Sequence, residues 1–286
     1  MTPKAQQKIT VYSPASCLRH PGQLMRSMIA DLVASRELAW RLFIRNLSAQ
    51  YRQTMFGYLW AFLPPLFSMA VWVYLNSQKV IDVQDPGMPY PLFVLTGTVL
   101  WQIFVDAMNS PLKLVTESKS MLAKINFPRE ALILAGLGEV LFNFVIRIFL
   151  LAGIFVWFQM IPPVTLFYVP LGVLGLLLLG LMFGILMTPL GVLYTDVSRG
   201  IVILAQLWFF LTPVVYPMPQ SGAAAVLARL NPVTPLLTTT REWMVTGFST
   251  QLSGFWLVVL LAFVFLLLGW LLYRIAMPHL IARISA

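Results

Sequence analysis

Cysteine is nearly missing from this chain. Cys17 is the only one among 286 residues, which excludes a disulfide frame and a cluster of thiolates around a metal. Histidine is as scarce. His20 and His279 both lie in terminal tails, so neither a histidine base nor a metal site is expected. Charge is thin: 10% of the residues are charged, where a soluble domain has roughly 25%. The ten acidic residues are scattered. None forms the close pair at a membrane face that a glycosyl or phosphoryl transferase needs. There is no G-x-x-x-x-G-K-[ST] stretch, so the chain cannot hold ATP by that route. No catalytic site and no cofactor are expected here.

What is present is apolar. Hydrophobic residues make up 59% of the chain, in runs long enough for a polytopic membrane protein. About 20 apolar residues cross ~30 Å of hydrocarbon, and runs of about 10–14 are re-entrant or interfacial. Six runs reach toward that length. They are Met55 to Asn76, Tyr90 to Met108, Ala131 to Met160, Phe167 to Tyr194, Ile201 to Met218 and Phe255 to Tyr273. The fold class is therefore all-α with six transmembrane helices. Pro64-Pro65 is expected to kink the first span. Residues 1–34 form a cytosolic tail without the apolar core of a cleavable signal, so the first span is expected to direct insertion. Residues 35–54 form an amphipathic helix. Trp40, Phe43, Ile44, Leu47 and Tyr51 share one face, beside a stripe of Arg41, Arg45, Ser48 and Arg52. Such a helix lies in the membrane interface with arginine reaching the lipid headgroups, or packs on a soluble partner. Residues 55–273 are the transmembrane domain, and 274–286 a short cytosolic tail.

The net charge of +9 is explained by topology. Fifteen Lys and Arg residues fall in the N-terminal segment, the loop 109–130, the loop around Arg199 and the C-terminal tail. Three, Lys79, Arg229 and Arg241, fall on the other side, and Arg147 sits within a span. Positive residues mark the cytosolic side, so both termini are expected to be cytosolic. No nucleic-acid partner is needed to account for the charge.

Three stretches stand out. The loop 109–130 contains Lys119 to Arg129, a short helix stopped by Phe127-Pro128. Its apolar residues Met121, Leu122 and Ile125 must dock somewhere, on their own bundle or on a cytosolic partner. The segment 219–250 is apolar but broken by Pro219, Pro232 and Pro235. It is an external loop with two surface helices, or a pair of re-entrant helices over something hollow or wet. Within the spans, Glu139 and Arg147 flag function. They are about 12 Å apart along a helix at 1.5 Å per residue, so they do not pair with each other. Glu139 sits toward the cytosolic interface. Arg147 faces protein, water or a partner, and is a candidate for the translocation path.

Five motifs, in order, carry a resemblance over Ser35 to Tyr273. They are Arg45-Asn46-Leu47 with Tyr51-Arg52, Gly57, Trp60-Ala61 and Pro65; Leu122-x-Lys124-x-x-Phe127-Pro128-Arg129; Tyr194-x-Asp196-Val197-x-Arg199; Thr212-Pro213-Val214-Val215-Tyr216-Pro217; and Leu230-Asn231-Pro232. The chain resembles the membrane subunits of ABC-2 exporters for polysaccharides and polyol phosphates, which serve O-antigen, teichoic acid and capsule export. Thr195 departs from it, standing where a basic residue is common. The resemblance implies a homodimer in the inner membrane with two copies of a separate ATPase, which binds ATP and Mg. It implies export of a lipid-linked glycan. Residues 35–54 become the interface helix, and 219–250 two re-entrant gate helices. Lys119, Met121, Leu122, Lys124, Ile125, Phe127, Pro128 and Arg129, with Asp196 and Arg199, would couple to the ATPase. Tyr58, Trp60, Arg147, Trp208, Phe209 and Tyr216 would offer faces to the substrate. Pro213, Pro217, Leu227, Asn231, Pro232 and Arg241 would form the outer gate, with Arg241 at its rim. An ABC-2 exporter of a small hydrophobic molecule, or a secondary transporter using Glu139 or Arg147, are the alternatives.

Overall fold

The computed structural model describes residues 21–52, 55, 57–81, 83, 87–125 and 127–285. Expectations for Met1 to His20, including Cys17, lie outside the described residues. Every regular element among the described residues is helical. The α-helices are α1 (Pro21–Ala34), α2 (Arg36–Arg52), α3 (Leu63–Ser77), α4 (Tyr90–Glu117), α5 (Lys119–Lys124), α6 (Glu130–Trp157), α7 (Val169–Leu193), α8 (Thr195–Leu211), α9 (Gly222–Leu230), α10 (Val233–Val245) and α11 (Leu252–Ser285). Short 3-10 turns precede α3 and α7, at Gly57–Ala61 and Val164–Tyr168.

The bundle is built around α4 and α7. Lipid-soluble helices gain nothing by burying leucine against leucine, so close backbone approach does the work. Glycines on α7 provide it. A Cβ at Gly180 would lie 2.6 Å from the Phe104 carbonyl oxygen, and one at Gly184 2.5 Å from that of Met108. Val99, Ile103, Phe104, Leu176 and Leu179 fill the seam. α11 covers another face of α7, with Phe255 and Ala262 turned inward and Leu257, Leu260 and Leu261 outward. α6 packs on α4 and carries α2 on its N-terminal half, where the Phe43 ring lies over Gly138.

Five helical stretches are long and apolar enough to cross a membrane: Leu59–Ser77, Tyr90–Glu117, Glu130–Trp157, Val164–Leu193 and Leu252–Leu280. Six were expected. The fifth expected span becomes α8, which ends after 17 residues at Leu211, where Thr212-Pro213 turns the backbone extended. Other boundaries move too. Pro64-Pro65 sits in the first turn of α3, where the missing N–H is harmless, and does not kink a helix centre. α4 runs on through Asn109 to Glu117, so half of the expected cytosolic loop is helix; Pro111 is tolerated inside it. The polar hexamer from Tyr194 is no loop. Thr195 to Arg199 are the first turns of α8. The C-terminal tail continues α11, a 34-residue helix about 51 Å long at 1.5 Å per residue.

The N-terminal segment is a packed helix from Pro21. Met28 of α1 is 2% exposed, and Asp31 pairs with Arg274 of α11. Arg274 also lies 3.5 Å from Glu130 at the start of α6. One guanidinium thus ties three elements together.

Candidate functional site

The segment after α8 closes one end of the bundle. Asn231 is 7% exposed and sits at its centre. Its Oδ1 accepts from Trp208 Nε1 at 2.9 Å and from Val233 N at 3.0 Å. Its Nδ2 donates to Thr212 Oγ1 at 2.7 Å. One amide therefore joins the last turns of α8 to the start of α10. Arg241, 4% exposed, makes the second tie. Its guanidinium donates to the carbonyls of Pro213 and Val214 at 2.8 and 3.0 Å and lies 3.9 Å over the Phe93 ring. Tyr90 donates to the Val215 carbonyl at 3.1 Å. These contacts need a side-chain-free spot on α4. A Cβ at Gly97 would fall 2.1 Å from the Val214 oxygen. The expectation that Arg241 sits at a rim to meet phosphate is overturned. One of its terminal nitrogens donates to two carbonyls that a broken helix leaves bare, the guanidinium covers an aromatic ring, and its Nε has no hydrogen-bond partner among the described residues. α10 is buried along most of its length, whereas α9 exposes Val226, Leu227 and Leu230.

At mid-bundle Arg147, 8% exposed, donates to Asp106 at 2.7 Å, and Asp106 also accepts from Gln102 at 2.8 Å. Glu139, 7% exposed, accepts from Asn46 of α2 at 2.8 Å and lies 3.9 Å from Lys113. Glu139 and Arg147 thus each have their own partner on α4, as their separation along α6 requires. A buried guanidinium without its carboxylate would leave an uncompensated charge.

At the opposite end from the segment after α8, α5 is held on the bundle. Lys119 donates to the Val192 carbonyl at 3.2 Å, at the end of α7. Leu122 is 8% exposed and α5 packs on α11. The expected apolar docking face is therefore divided. Leu122 is spent inside its own subunit and Met121 is half-buried, while Ile125 is 58% exposed beside exposed Lys124. Phe127, Pro128 and Arg129 are half-buried.

The ABC-2 type transporter profile matches residues 37–245. The chain belongs to the ABC-2 type transporter family. It is 29% identical over 217 residues to an O-antigen export system permease protein RfbA of Myxococcus xanthus, covering 75% of this chain and 82% of that one. A Klebsiella pneumoniae RfbA is 24% identical, with 71% and 78% covered. A polysialic acid transport protein KpsM of Escherichia coli is 20% identical, with 82% and 91% covered.

As an ABC-2 membrane domain the chain places its remaining expected residues as follows. Trp40 is 63% exposed, Arg41 pairs with Glu37 at 2.6 Å, Arg45 donates to Asn46, and Arg52 is exposed. The buried face of α2 is Ala39, Leu42 and Phe43, so Trp40 and Ile44 stand off the bundle. Asp196 and Arg199 are exposed on the first turns of α8. Trp60 is 51% exposed. Trp208 is wedged between Phe104 and Phe183, each at 5.3 Å. Phe209 lies against Trp101 and Trp72. Tyr216 donates to the Phe210 carbonyl at 2.8 Å. Pro217 and Leu227 are exposed and Pro213 is buried. The side chains of Tyr51 and Tyr58 lie outside the described residues. Asp106, Asn46, Gly97 and Tyr90 were not expected at the site. The four- and three-residue spacing of Gln102, Asp106 and Asn109 is the signal in the sequence that could have found Asp106.

Proposed function

We propose that the chain is the permease subunit of an ATP-driven exporter that moves a lipid-linked polysaccharide outward across the inner membrane. Two copies form the channel, and two copies of a separate ATPase, which binds ATP and Mg, drive it. The observation that carries this reading is the match to the ABC-2 family over 37–245 together with relatives that are O-antigen and polysialic acid transport proteins. The exposed Lys124 at the end of α5 and Ile125 just after it, with Asp196 and Arg199 on α8, supply a contact surface for the ATPase.

Topology supports the same reading. Asp31 of α1 pairs with Arg274 of α11, which supports one side of the membrane for both terminal helices. Five crossings would separate them. α8, roughly 25 Å long at 1.5 Å per residue, together with the extended Thr212 to Pro217, is the sixth. α9 and α10 then lie at the outer face as re-entrant elements. The excess of Lys and Arg on that side supports cytosolic termini.

The test is genetic. Cells lacking the gene should lose the polysaccharide from their surface and accumulate it inside, and the gene should restore it. Normal surface polysaccharide without the gene would refute the reading.

A further inference from the structure

Two polar stripes face each other in the membrane domain. On α4 they are Gln102, Asp106, Asn109 and Lys113; on α6, Arg147, Asn143 and Glu139. Residues three or four apart share a helix face, so each stripe is one face. The helices run antiparallel and the stripes stay in step. Asp106 meets Arg147 at 2.7 Å and Lys113 lies 3.9 Å from Glu139. These two rungs are about 11 Å apart at 1.5 Å per residue.

Ion pairs that merely lock two helices would be sealed on all sides. These are not. Gln102, Asp106, Asn109 and Asn143 are partly exposed, the Asp106 side chain to 23%, and Lys113 is exposed. Partly exposed polar groups at membrane depth face water or protein, never lipid. Arg147 Nε is buried with no hydrogen-bond partner among the described residues, a donor that water would satisfy. One helix turn pair above Gln102 the same cleft becomes apolar. There Leu66, Leu95 and Ile154 border a cavity of about 650 Å³. The polarity of the stripe is therefore local.

Its chemistry selects a ligand. Each carboxylate is matched by a cation, so neither an anion nor a cation gains from a neutral stripe. Gln102 and Asn109 each spend one N–H, on Asp106 and on the Val105 carbonyl, and each keeps a second N–H and a carbonyl oxygen. Hydroxyl groups, also donor and acceptor together, complement them. We infer that the α4–α6 stripe is a hydrated track that hydrogen-bonds a neutral, hydroxyl-rich polymer as it crosses the inner half of the membrane. This rests on the reading of the chain as a polysaccharide permease, and adds where within one subunit the polymer is held.

The experiment uses the full chain with its partner ATPase in a Cys17→Ser background. Gln102→Cys and Asn109→Cys should react with a membrane-impermeant maleimide in inside-out vesicles, while Leu260→Cys on the outward face of α11 should not. The double variant Gln102→Leu with Asn109→Leu should lower surface polysaccharide roughly tenfold, from hydrogen bonds lost to the passing polymer, with the same amount of inserted protein. Gln102→Asn with Asn109→Gln should restore most of it. Cysteines as silent as that at 260, or wild-type export by the double leucine variant, would overturn the track. If the Cys17→Ser protein itself restored no surface polysaccharide, the permease reading would fall instead.

Discussion

Replacing Asn231 with leucine should loosen the segment between α8 and α10 by a calculable amount. Leucine keeps the branch and the heavy-atom count of the side chain, so the lost hydrogen bonds set the least effect expected, and its bulkier methyl groups add to it. Val233 N is fully buried and loses its acceptor, which costs about 1–3 kcal/mol. Trp208 is half-buried and water recovers part of its loss, leaving about 1 kcal/mol. Thr212 Oγ1 loses a donor but keeps its own bond to the Trp208 carbonyl at 2.9 Å. The total is about 3 kcal/mol. At about 2–4 °C per kcal/mol for a chain of this size, Tm in detergent should fall by about 6–12 °C. A double-mutant cycle isolates the hub. Trp208→Phe should lower Tm in the native background and lower it less when Asn231 is already leucine, because the shared bond is gone. A shift below about 2 °C for Asn231→Leu would show that water replaces the amide, since each kcal/mol moves Tm by about that much. Full additivity of the two substitutions would show that they do not share an interaction. Either result would refute the amide as the link between α8 and α10.

Gly184→Val should abolish folded, inserted protein, because its Cβ would meet the Met108 carbonyl oxygen at 2.5 Å, whereas Gly153→Val, with nothing within 4 Å, should be neutral; fluorescence-detected size exclusion separates the two. Ile125→Asp should insert normally yet lose export and ATPase stimulation, since the side chain is 58% exposed and a charge entering a desolvated contact costs several kcal/mol. Leu122→Asp should instead reduce folded protein, because that leucine is already buried on its own bundle; equal folding of both variants would contradict this division. Cysteines introduced at Gln220 and Ser120 should label only from outside and only from inside, respectively, and labelling of Ser120 from outside would sink the six-crossing topology.

Much of the helical plan was legible as apolar run length, because hydrocarbon thickness imposes a count on the chain. α6, α7 and the start of α11 follow from it within a few residues. The misplacements share one cause: polarity was equated with the end of a helix. Asn109 to Glu117 and Thr195 to Arg199 are polar yet helical, because a membrane helix leaves the hydrocarbon before its hydrogen-bond ladder ends. The Pro-Pro pair was legible as a backbone disturbance but not as a helix start, which depends on where the preceding 3-10 turn delivers the chain. Asn231-Pro232 was singled out from motif alone, and its partners Trp208 and Thr212 lie 19 to 23 positions away. Arg241 was misread for the same reason. Its carbonyl acceptors are made by the break at Pro213, and no local pattern announces that a break 28 residues earlier needs a guanidinium. The face of α2 was assigned from hydropathy, but Trp40 and Ile44 point off the bundle because Gly138 accepts only the Phe43 side of the helix.

The central claim is that this chain moves polysaccharide only when a separate ATPase hydrolyses ATP. Inside-out vesicles containing both subunits and the lipid-linked polymer test it directly, by the amount of polymer that becomes protected from an added glycosidase. Protection should require ATP and Mg, be abolished by vanadate, and survive collapse of the proton gradient. Protection that proceeds without ATP and disappears with the proton gradient would contradict the account and make the chain a secondary transporter.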